Sequence, residues 1–188
     1  MRRMIPSLLW FSVLAGGPAC FAKGRESARV STSCMLLPVI QTQEAGDKTI
    51  YLNHAYGFSF ELAQSWKGFS VLQCEWDGTR DSGASEQQGP LLRIRHPLYT
   101  EENPREDIPI MVFTQKQWRE VQDMTLIVSA APIPPGMIGQ NRKYVFALPP
   151  RFSFDELEGV EEVLKIVQTK PLRAIRIVRT STTTKKPQ

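Results

Sequence analysis

At 188 residues the chain is long enough for one ordinary domain and short for two. With 41% hydrophobic and 22% charged residues it reads as globular rather than disordered or fibrous. The formal charge of +4 invites a nucleic-acid or anionic-membrane partner, but Arg2, Arg3, Arg173, Arg176, Arg179, Lys185 and Lys186 place much of it at the two ends. Between residues 23 and 172 the remaining 16 cations face all 19 acids, a net −3, so no nucleic-acid partner is expected.

Residues 1–22 read as a signal peptide: two arginines, an apolar-rich run at 5–15, then small residues with Cys20 and Ala22 at the cleavage positions. Eleven apolar-rich residues are too few to span about 30 Å of hydrocarbon as a helix, so no transmembrane segment is expected after removal of the signal. A lipid anchor at Cys20 is the alternative, against which Gly17-Pro18-Ala19 departs from the usual lipobox. Loss of the signal leaves Cys34 and Cys74. In an exported chain an even pair suggests one disulfide, closing a loop of about 40 residues and contributing about 3–4 kcal/mol by the chain-entropy model. Free thiols are the other reading. Two cysteines and two histidines so widely spaced do not make a zinc site, and neither metal nor cofactor is expected.

Residues 23–47 read as an irregular leader. A short strand at 49–52 follows, then 56–62 (Y-G-F-S-F-E-L) alternate with the period of a half-buried strand, and 69–76 form another. The last two are close enough to pair as an antiparallel hairpin. Residues 77–90 read as a polar loop, 91–96 as a strand, 97–107 as a loop rich in acids and prolines, and 108–113 as a buried apolar run. Thr114 opens a short helix, with Gln117 as its capping-box partner and Trp118 and Val121 as inward contacts. A strand at 126–128, a Pro/Gly loop at 131–139 and a strand at 143–148 come next. The terminal helix is expected to start at Ser153, capped with Glu156, and to bury Phe154, Leu157, Val160, Leu164 and Val167. Residues 48–178 make one α+β domain, and 179–188 a disordered basic tail.

The stretch Tyr56-Gly57-Phe58-Ser59-Phe60-Glu61-Leu62-Ala63-Gln64-Ser65-Trp66-Lys67-Gly68-Phe69 resembles the opening hairpin of Mog1/PsbP-like proteins, often Y-G-F-S-F-x-L-P-x-S-W-x-G. Ala63 stands where proline is usual. The resemblance implies a single antiparallel β-sheet flanked by helices, an α/β/α sandwich used for binding or assembly, usually without enzyme activity. The family's roles differ too much for fold analogy to choose among them.

Of the candidate site residues, Arg93, Arg95 and His96 could together form a small anion-binding edge, although by alternation Arg93 and Arg95 share one strand face and His96 points to the other. No G-x-S-x-G, H-E-x-x-H or glycine-rich phosphate loop is present. The acids at 77–83 and 101–107 lack EF-hand spacing. The expectation is therefore an exported binding or assembly module of the bacterial cell envelope, periplasmic or secreted, meeting an unidentified protein partner through the loops at 77–90 and 97–107. The alternatives are an envelope hydrolase using His96 as base, and a small-molecule pocket between sheet and terminal helix.

Overall fold

The computed structural model describes residues 34–38, 42–80, 86–129, 133–152 and 157–175. The expectations for the signal at 1–22, for Cys20, for leader residues 23–33 and for the tail at 179–188 lie outside them.

Alternation in residues 48–63 produces a hairpin of β3 (Lys48–Asn53) and β4 (Phe58–Ala63). Asn53 closes its turn: its carbonyl accepts from Gly57 N at 2.8 Å and its Oδ1 from Tyr56 N at 2.9 Å. Short flanking strands β2 (Thr42–Ala45) and β11 (Leu172–Ala174) complete a four-stranded antiparallel sheet in the order β11-β4-β3-β2.

The larger sheet has seven strands. Its path is β1 (Met35–Leu37), β5 (Ser70–Arg80), β6 (Glu86–Arg95), β7 (Ile108–Thr114), β10 (Tyr144–Leu148) and β9 (Gly136–Gln140), with β8 (Leu126–Ile127) paired to the far end of β5. All of its pairings are antiparallel. The two helices are short: α1 (Gln115–Gln122) and α2 (Val160–Gln168). The expected capping box of Thr114 and Gln117 is present at the start of α1.

Every residue of β7 except Thr114 is buried, so its alternate side chains feed two cores. Ile108, Ile110 and Val112 join Phe58, Phe60, Leu62, Trp66, Phe146, Val163 and Ile166 between the two sheets and α2. Met111 and Phe113 join Trp76, Val121, Leu126, Val145 and Ala147 beneath α1 and β8. Pro109 is tolerated in this central strand because there it pairs only with β6, while β10 begins its pairing at Met111.

This architecture overturns the expected α+β class, a single sheet flanked by helices: the described residues form two antiparallel sheets with two short helices. The expected pairing of 56–62 with 69–76 does not form. A single 3-10 turn at Gln64–Trp66, followed by Gly68 at φ +86°, carries the chain from one sheet to the other and drives Trp66 into the core. Residues 77–80 and 86–90, read as loop, are strand, and so are β1 and β2 of the leader and β9 of the Pro/Gly loop.

The terminal helix starts later than expected. Ser153, Phe154 and Glu156 lie outside the described residues, and α2 begins after Gly159, at φ +90°. Glu106 N donates to the Glu158 carbonyl at 2.9 Å, which holds that residue against the 97–107 loop and out of the helix. Its inward face is Val163 and Ile166, and Leu164 faces out.

Gly89 lies opposite Trp76, whose indole covers it and donates to the Val112 carbonyl at 3.0 Å. A Cβ there would sit 2.4 Å from the ring. Gly89→Ala is therefore expected to lower unfolding stability by about 1–3 kcal/mol in urea titration. Gly136→Ala, where a Cβ meets nothing within 4 Å, is expected to be near neutral.

Candidate functional site

Alternation along β6 separates the three candidate residues as expected. Arg93 and Arg95 project to one side, where both close on Asp107, only 2% exposed. Arg95 grips it with two bonds, Nε to Oδ1 at 3.2 Å and NH2 to Oδ2 at 3.1 Å, and Arg93 Nε reaches Oδ2 at 3.1 Å. The Arg95 guanidinium also lies 3.8 Å above the centre of the Tyr99 ring. These contacts pair both arginines with one buried carboxylate, which occupies the Arg95 fork and meets Arg93 through Nε alone.

His96 faces the opposite way, 4% exposed, with its ring edge-to-face with Trp66 at 4.9 Å between centroids. Its Nδ1 accepts from Leu98 N at 3.1 Å and so carries no proton. The neutral ring then carries its proton on Nε2, which is buried with no hydrogen-bond partner. A general base needs an unprotonated nitrogen aimed at substrate. His96 presents none, and the hydrolase reading gains no support from its geometry.

Around His96 the chain gathers charges that are far apart in sequence. Arg105 pairs with Glu158 and lies 3.9 Å from Glu162. Asn103 Nδ2 donates to Glu158 at 3.2 Å, and Ser65 Oγ donates to Glu162 at 2.5 Å. Burial first, and then the nearby Arg105 charge, lowers the His96 pKa below its ordinary value, against an opposing pull from Glu162 and Glu158. The Asn103 amide, followed by Arg105, holds the Glu158 carboxyl below the usual carboxylate range. This corner fastens α2 and the 97–107 loop to the turn at Ser65, and its visible role is structural. Among the described residues no three His, Cys, Asp or Glu side chains gather to hold a metal ion.

Cys34 and Cys74 meet as a disulfide, with Cα atoms 4.3 Å apart. No helix among the described residues is long and apolar enough to cross a membrane.

The concave feature that sequence reading missed lies elsewhere. A cavity of about 190 Å³ opens beside the end of α1 and β8, lined by Val121, Met124, Leu126, Ile127, Val128 and Ile133 together with Pro134, Pro135 and the single polar side chain Ser129. No charged side chain lines it. Met124 is 76% exposed and takes a left-handed backbone at φ 56°, a position that favours glycine. Ile127 and Ile133 are also exposed. The available signal was the strand at 126–128 running straight into a proline-rich stretch that still carries Ile133. This cavity flanks β8, whereas the pocket expected between sheet and terminal helix coincides with the packed side chains of Val163 and Ile166.

No family model, curated protein or solved structure matches the chain.

Two outcomes follow from the polar corner. Asp107→Ala leaves two partly buried guanidiniums without their carboxylate and is expected to cost about 2–3 kcal/mol in chemical denaturation, a loss tempered because both arginines reach water. For His96, a folded pKa below the unfolded value of about 6.5 means the unfolded chain takes the proton first, so stability falls as pH drops below about 6.5. Thermal melts between pH 7.5 and 5 are expected to show that fall in the wild type and a flatter profile in His96→Phe. Equal slopes would remove His96 as the cause.

Proposed function

We propose that the protein is an exported, non-enzymatic binding or assembly module of the cell envelope, and that it takes an extended apolar segment of a partner protein in the cavity beside β8. The observation that carries this is an uncharged, apolar groove running along a sheet edge with Met124, Ile127 and Ile133 exposed at its rim. Among the described residues β8 pairs with β5 alone, and the reading places a further strand on its other side. A lipid or small apolar molecule would fill the groove but leave that backbone unanswered; an added strand answers both. Met124 strengthens the reading, because a large apolar side chain is kept exposed where glycine would relieve the backbone.

Export is supported by the composition of residues 1–22 and by the Cys34–Cys74 pair, since disulfides persist in oxidising compartments. The contact surface moves from the proposed loops to this groove: much of 77–90 is paired strand, and the buried side chains of 97–107 serve the ion-pair corner.

The test uses synthetic uncharged hexapeptides that alternate Val or Leu with Thr or Ser, titrated by fluorescence anisotropy. Binding to the wild type is expected to weaken at least tenfold in Ile127→Lys and severalfold in Met124→Gly, whose stability should stay level or rise by about 0.5–1 kcal/mol. Equal binding to the wild type and both variants, or no binding to any, would overturn the proposal.

A further inference from the structure

β1 covers the outer edge of β5 with very little holding it there. Its pairing is Met35 to Gln73, Leu36 to Leu72 and Leu37 to Val71, and the next step of that register sets Cys34 opposite Cys74. Met35 is 69% and Leu36 67% exposed, so only Leu37 packs against the core. The chain goes on to β2 in the other sheet, and among the described residues no further strand backs β1 in its own. A three-residue strand with one half-buried side chain gains little from burial. The cross-strand disulfide therefore supplies most of the restraint, by keeping the strand at a high effective concentration beside its partner.

We propose that the disulfide is a redox-controlled strap: oxidised, it keeps β1 on the edge of β5, and reduced, it lets β1 leave and opens that edge to strand addition. A dithiol reductant would attack the sulfur of Cys34, the exposed end of the bridge, with the sulfur of buried Cys74 as leaving group. The S–S bond breaks, the two sulfurs take up two electrons and two protons to become thiols, and the reductant departs as its own disulfide. The uncovered edge is residues 71–74 of β5. It lies on the side of β5 that also receives β8 at Thr79 and Arg80, so release of β1 would expose a nearly continuous edge leading to β8. The proposal does not depend on what occupies the groove beside β8.

Hydrogen exchange followed by mass spectrometry tests it on the full chain in three states: oxidised, reduced with dithiothreitol, and Cys34→Ser without reductant. The alternate amides of 35–37 and 71–74 that bond across the β1–β5 ladder are expected to exchange at least tenfold faster in the second and third states than in the first, while those of 71–74 that bond to β6 stay protected. Those of β7 and β10 should be unchanged, which also shows that the serine variant is folded. Unchanged protection at 71–74 would show that β1 stays without the bridge. Loss of protection spreading through β7 would show that the bridge supports the whole domain. Either result, or a response to dithiothreitol that Cys34→Ser does not reproduce, would overturn the strap.

Discussion

The burial of β7 on both faces is the constraint from which the rest of the molecule follows. A strand carrying Ile108, Ile110 and Val112 on one side and Met111 and Phe113 on the other cannot face water on either, so each face of its sheet must be covered. The smaller sheet and α2 cover one face; α1 and β8 cover the other. The long crossings of the chain serve that arrangement, since the turn at Gln64–Trp66 and the return through α2 to β11 each carry it between layers. Trp66 fits this logic: at a hairpin tip it would have stayed wet, and at the crossing it enters the inter-sheet core.

Much of the local structure was legible because it rests on nearest neighbours and side-chain period. The alternation of β4 and β6, the two-sided apolar run of β7 and the Thr114–Gln117 capping box are all visible in short windows. Strand partners were not, because period tells which face a side chain takes and nothing about which backbone lies alongside. Edge strands were harder still. β2 is Thr-Gln-Glu-Ala with every residue exposed, so it is a strand only through backbone pairing with β3. The start of α2 was displaced by a contact more than fifty residues away in sequence, that of Glu158 with Arg105 and Glu106.

The candidate site shows the same division. That His96 faces away from Arg93 and Arg95 follows from period two. That Asp107 receives both arginines does not, because it sits among Glu101, Glu102 and Glu106 with nothing local to distinguish it. Placing three charges and a neutral histidine at one end of β6 is weakly stabilising at best, since desolvation offsets much of the attraction. Its clearer effect is geometric. Arg105, Glu158, Glu162 and Ser65 join α2, the 97–107 loop and the sheet crossing, elements that hydrophobic packing alone would let slide.

The two ends of the larger sheet are covered in different ways. On the larger sheet, β9 at one end abuts the smaller sheet, with Gly139 so close to Leu172 that a Cβ would lie 2.5 Å from it. That end is closed by packing. The other end, the outer side of β5, is covered in two short pieces, β1 held by a covalent bridge and β8 flanked by an apolar groove. An uncovered β5 would invite indiscriminate pairing with other chains. The two covers differ in kind: β1 is secured to β5 by the Cys34–Cys74 bridge, whereas β8 is joined by backbone pairing at Thr79 and Arg80 and packs through Leu126 against the core beneath α1. Both covers therefore answer the same physical requirement, that the unpaired N–H and C=O groups along the outer side of β5 meet a partner within the chain.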